Sequence, residues 1–120
     1  MTIDIHETGE IKIAEVTSDG FVINNKEDGL DLLGNLYFQG FDHVILHKEN
    51  IAPDFFNLKT GIAGEILQKF SNYRVKLAII GDFTGHPSKS LQDFIFESNK
   101  LGQINFFQTL DEAIKKFSKK

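Results

Sequence analysis

Two short, uninterrupted apolar runs, Val44-Ile45-Leu46 and Leu77-Ala78-Ile79-Ile80, flank a segment of helical spacing, and that arrangement leaves few folds open. A strand without polar alternation is buried on both faces, as in parallel sheets covered by helices. Between the runs, Ile62, Ile66, Leu67 and Phe70 recur at the helix period, with Glu65 and Lys69 turned outward. A helix over Thr60–Phe70 therefore joins two neighbouring parallel strands in a βαβ crossover.

The rest of the chain extends the pattern. Ile3 and Ile5 alternate with polar residues, Ile11 to Val16 forms a second strand beyond Thr8-Gly9, and Asp19-Gly20 turns the chain into a further extended stretch, Phe21-Val22-Ile23. Asn25 is placed to cap a helix running to about Phe38, with Leu30, Leu33, Leu36 and Tyr37 on one face and Gly40 as its stop. Gly29 and Gly34 weaken that helix. Ser90-Leu91-Gln92-Asp93 resembles a helix start, Leu91, Phe94 and Ile95 form its apolar stripe, and Gly102 ends it before the strand Ile104-Asn105-Phe106-Phe107. Thr109-Leu110-Asp111-Glu112 is a capping box for a last helix burying Leu110, Ala113, Ile114 and Phe117. The expectation is one α/β domain over residues 1–120, with a mixed, mostly parallel sheet and about four helices.

Composition narrows the function classes. A chain of 120 residues with 41% hydrophobic and 25% charged side chains can bury one core, and its twelve Phe residues supply large core volumes without Trp. With no Cys there is no disulfide, thiolate nucleophile or cysteine-ligated metal, which fits a reducing, cytoplasmic location. The N-terminus lacks a signal sequence and the apolar runs are strand-sized, so no membrane span is expected. Thirteen basic against 17 acidic side chains give a charge of −4, which disfavours nucleic acid as a partner. The basic end, Lys115-Lys116-Phe117-Ser118-Lys119-Lys120, reads as cations complementing a helix C-terminus.

In open α/β sheets, ligands meet the carboxyl ends of the strands. Two loops stand there: His47-Lys48-Glu49-Asn50, and the stretch from Gly81 to Ser90 carrying Asp82, Thr84, His86 and Ser88. If the two strands are parallel neighbours, His47, Glu49, Asp82 and His86 converge as acid/base groups or as nitrogen and oxygen ligands. Their spacing matches no metal motif, so neither a metal nor another cofactor is expected. Gly81, Gly85 and Lys89-Ser90 superficially resemble a phosphate loop, but Ser88 stands where glycine must precede the lysine and Pro87 removes an amide donor. A helix cap is the expected role of Ser88 or Ser90. No serine lies in a Gly-x-Ser-x-Gly setting, and His6 and His43 are expected to be structural or exposed. Asn35-Leu36-Tyr37-Phe38-Gln39-Gly40 resembles a tag-protease site, but Gly34 replaces the required Glu and the segment fits the local helix.

The stretch from Gly34 to His47, continued by Glu49 to Phe56, Leu58 to Leu67, Lys76 to Phe83 and Ser88 to Leu91, closely resembles a bacterial family of uncharacterised function, domain-of-unknown-function family 4180. More distantly, the strand leading through Thr60-Gly61 into a helix resembles STAS-like domains, the fold of anti-sigma-factor antagonists. There a Ser-Gly-Leu turn carries a phosphorylated serine, and the neighbouring surface binds a regulatory kinase. This chain has Lys59 where that family has Asp, and Thr60 where it has Ser. Read from the residues alone, Thr60 suits the N-cap of its helix better than a phospho-acceptor.

The resemblance implies a non-enzymatic regulatory or protein-interaction module, with Thr60 at the partner surface and a protein as the partner. The alternative is a small enzyme or ligand binder using the loops after residues 44–46 and 77–80. A flat surface around Thr60 supports the first and an enclosed, concave site at those loops the second. Partner identity and oligomeric state are left open.

Overall fold

Residues 1–118 are described by a computed structural model, and Lys119 and Lys120 of the basic end lie outside the described residues. The strands β1 (Thr2–Thr8), β2 (Ile11–Thr17), β3 (His43–His47), β4 (Lys76–Ile80) and β5 (Ile104–Phe107) form one sheet in that spatial order. β1 is antiparallel to β2, and β2 to β5 run parallel. The described residues form four helices, α1 (Lys26–Phe38), α2 (Ile62–Asn72), α3 (Lys89–Leu101) and α4 (Leu110–Ser118). The single α/β domain with a mostly parallel mixed sheet is thus as expected from the sequence.

The two apolar runs are adjacent and in register, with Val44 opposite Leu77, Ile45 opposite Ala78 and Leu46 opposite Ile79. Their alternate residues feed two cores. Val44, Leu46, Leu77 and Ile79 join Ala14, Val16 and the buried faces of α1, α2 and α3 in the larger one. Ile45, Ala78, Ile80 and Ile13 face the other way, where Ala113 and Phe117 of α4 cover them. Strand order follows chain order, so crossovers of one hand place α1, α2 and α3 on a single face. The opposite face is left to α4.

The helix ends follow the cap chemistry read from the sequence. The Asn25 side chain accepts the Asp28 amide at 2.9 Å, and Ser88 accepts that of Leu91 at 3.2 Å. At α4 the Thr109 hydroxyl accepts the Glu112 amide while the Glu112 carboxylate accepts the Thr109 amide, a reciprocal capping box.

Three expectations need correction. Phe21-Val22-Ile23 forms no strand but one parallel bridge, Ile23 to Ile51, because the Asn50 side chain holds the Ser18 and Gly20 carbonyls and its backbone carbonyl takes the Val22 amide. In α1 the buried stripe is Gly29, Leu32, Leu33 and Leu36, whereas Tyr37 is half exposed and Leu30 only partly covered. A Cβ on Gly29 would stand 2.3 Å from Ile66 Cδ1, so this glycine permits α1 and α2 to touch rather than merely weakening α1. The helix expected from Thr60 begins at Ile62, and its cap residue is Gly61 in the left-handed region at φ 78°.

Candidate functional site

β3 and β4 end side by side, and the loops that follow them wall a cavity of about 660 Å³. The chain after His47 makes one tight turn, Lys48–Asn50, closed by the Ile51 amide on the Lys48 carbonyl. Asn50 is buried and spans the gap to the segment before α1, with its Nδ2 donating to Ser18 and Gly20 at 2.8 and 2.9 Å. Its carbonyl accepts the Val22 amide at 2.7 Å. These bonds fix Phe21 at the cavity rim, where its ring is about half exposed.

On the other side, Gly81 lets the end of β4 approach the Lys48 stem, because a Cβ there would fall 2.5 Å from Lys48 Cβ. Asp82 Oδ1 accepts both the amide and the hydroxyl of Thr84, at 2.9 and 2.6 Å, and so shapes its own loop. Those two bonds, aided by the Lys48 charge, hold the Asp82 carboxyl below the usual aspartate range. The Lys48 ammonium donates to the Asp82 carbonyl at 2.7 Å and lies 4.9 Å from the Phe83 ring centre. Phe83 is buried between Phe56 and Phe106, which anchors the loop to the core.

Phe21, Ile51, Pro53, Phe56 and Ile80 line the cavity with apolar surface, and His47, Lys48, Glu49, Asp82 and His86 supply its polar groups. Four side chains singled out in the sequence, His47, Glu49, Asp82 and His86, therefore share one cavity. Thr84 and Ser88 lie elsewhere. Thr84 lines a smaller hollow of about 190 Å³ on the far side of Gly81, and Ser88 caps α3. The Ser88 amide donates to His86 Nδ1 at 3.1 Å, so the neutral His86 ring carries its proton on Nε2. Among the described residues, no group of three or more His, Asp or Glu side chains could hold a metal ion.

Sequence reasoning missed the residue behind His47. Glu15 in β2 is buried, and its two carboxylate oxygens lie 2.8 Å from His6 Nε2 and 2.7 Å from His47 Nε2. The pairing explains the convergence, because Glu15 stands opposite Ile45, two residues before His47, and opposite Asp4, two residues before His6. Burial opposes ionisation of Glu15. The hydrogen bonds and charges of His6 and His47 outweigh that cost and hold its carboxyl below the ordinary glutamate range. An ionised carboxylate only accepts, so both rings donate from Nε2, and neutral His47 keeps its lone pair on Nδ1. The signal was in the strand: Ile11, Ile13 and Glu15 share one face at period two, which puts a carboxylate on an apolar row. His6, expected to be structural or exposed, belongs to this cluster, whereas His43 bonds Asp42 and packs edge-on against Phe117.

Thr60 lies apart from the cavity lining, at an exposed turn. Its hydroxyl is 2.9 Å from the carbonyls of Asp54 and Asn57 and accepts the Ile62 amide at 3.2 Å. The hydroxyl thus serves the first turn of α2 although Gly61 holds the cap position. Among the described residues, no helix is long and apolar enough to cross a membrane.

No curated protein and no solved structure matches the chain. The family model described as Domain of unknown function (DUF4180) matches residues 8–117, almost the whole chain, and the chain belongs to that family.

Proposed function

We propose that this protein is a small-molecule-binding domain whose site is the cavity at the carboxyl ends of β3 and β4. The observation that carries this reading is the cavity itself. Its volume of about 660 Å³ suits a metabolite-sized ligand, and its walls join an apolar floor to a few polar groups from two loops. It also lies where a parallel sheet presents its strand ends, so the fold supports a site there. The test is a fragment screen followed by amide chemical shifts on labelled protein. Binders should move His47, Glu49, Gly81 and Asp82, and Ile80→Trp, which fills the floor, should abolish the shifts. Shifts confined to other surfaces would refute the reading.

A regulatory role through a protein partner at Thr60, as in STAS-like domains, is a second reading, favoured by the exposure of that residue. The three contacts of its hydroxyl support a structural role instead, since a phosphate would break them. The two readings are compatible if ligand occupancy regulates a partner. Pull-down with Thr60→Ala tests the second, and undiminished partner recovery would remove Thr60 from it.

A further inference from the structure

We infer that the cavity takes a small organic cation, an amine or amidine carried on an apolar body; this rests on the ligand-binding reading above. The inference comes from counting what the polar wall can donate and accept. Two carboxylates, Glu49 and Asp82, line the cavity against one ammonium, that of Lys48. The ammonium is already engaged, donating to the Asp82 carbonyl at 2.7 Å and facing the Phe83 ring. Only one oxygen of Asp82 is used by Thr84, so its second oxygen and both oxygens of Glu49 remain acceptors.

His47 adds a further acceptor, and Glu15 makes it one. Because Glu15 takes the Nε2 proton of His47 at 2.7 Å, the neutral ring presents a lone pair at Nδ1. His6 occupies the other Glu15 oxygen at 2.8 Å, so the carboxylate cannot turn away without losing a bond. Glu15 is thus a positioning residue, acting on the cavity through His47. The Lys48 ammonium spends one of its three N–H groups on the Asp82 carbonyl, and Nε2–H of the neutral His86 ring is a further donor. Phe21 and Phe56 provide the aromatic surface that a flat apolar body, or a cation over a ring, would use.

The test titrates labelled protein with three probes of similar size: benzamidine, benzoate and benzyl alcohol. Benzamidine should shift the amides of His47, Glu49 and Asp82 and bind at least about tenfold tighter than benzoate, since charge-assisted hydrogen bonds separate the two. The double variant Glu49→Gln/Asp82→Asn should remove that preference. Benzoate binding as tightly as benzamidine, or a preference that survives in the double variant, overturns the assignment while leaving the cavity a ligand site. If none of the three probes binds, the ligand-binding reading fails and the cation assignment with it.

Discussion

Replacing Glu15 by Gln keeps the size of the side chain and removes its charge and one acceptor. In the native protein each carboxylate oxygen accepts one imidazole Nε2–H, at 2.8 and 2.7 Å. The amide retains one acceptor and turns an N–H toward the other ring, which must change tautomer or lose its bond. One charge-assisted hydrogen bond contributes about 1.5–3 kcal/mol. Partial exposure of the rings, 30% for His6 and 19% for His47, lets water recover some of that. The expected loss at neutral pH is therefore about 1–3 kcal/mol. The pH dependence has a fixed sign. The folded-state pKa of Glu15 is lowered, so its contribution is complete above the ordinary glutamate range and is lost as pH falls through the lower folded value. Urea unfolding of wild type and Glu15→Gln at a series of pH values should show a gap that closes on acidification. Imidazole ¹⁵N spectra should show the His47 proton on Nε2 in wild type and redistributed between the two His47 nitrogens, or between those of His6, in the variant. A gap below about 0.5 kcal/mol, or one independent of pH, would refute the assigned role.

The two α1 glycines should respond to alanine in opposite directions: Gly34→Ala, with nothing near its new Cβ, should stabilise by up to about 1 kcal/mol, whereas Gly29→Ala should cost about 1–3 kcal/mol by pressing on the buried Ile66. Both are read by urea midpoints, and equal shifts would contradict the helix contact. Gly81→Ala should cost about 1–3 kcal/mol for the same reason, and Lys48→Ala should not rescue it, because the clash is with Lys48 Cβ. Thr60→Ala should cost about 1 kcal/mol in the same assay, and an unchanged midpoint would show that its hydroxyl contributes nothing to the start of α2.

The parallel centre of the sheet was legible because burial on both faces leaves a continuous apolar run, and 44–46 and 77–80 have no other reading. Caps were legible for a related reason: Asn25, Ser88 and the Thr109/Glu112 pair satisfy amides within three residues of themselves, so the chemistry is local. What the sequence concealed is non-local. Asn50 lies 30 and 32 residues from the carbonyls it holds, and that reach takes Phe21-Val22-Ile23 out of the sheet and sets Phe21 at the cavity. Glu15 and His47, likewise 32 residues apart, meet only because β2 pairs with β3 in one register. Within the loops, His47, Glu49, Asp82 and His86 could be grouped from strand adjacency alone. The distinct place of Thr84 required knowing that Gly81 separates two hollows.

The central claim is that the ends of β3 and β4 hold a ligand, and a crystallographic fragment soak tests it most directly. The account predicts fragment density bounded by His47, Phe56 and Ile80, with the apolar part on Phe56 and Ile80 and the polar part toward Glu49 and Asp82. Fragments bound only at other surfaces, or loops after β3 and β4 closed against each other with no space between them, would contradict it.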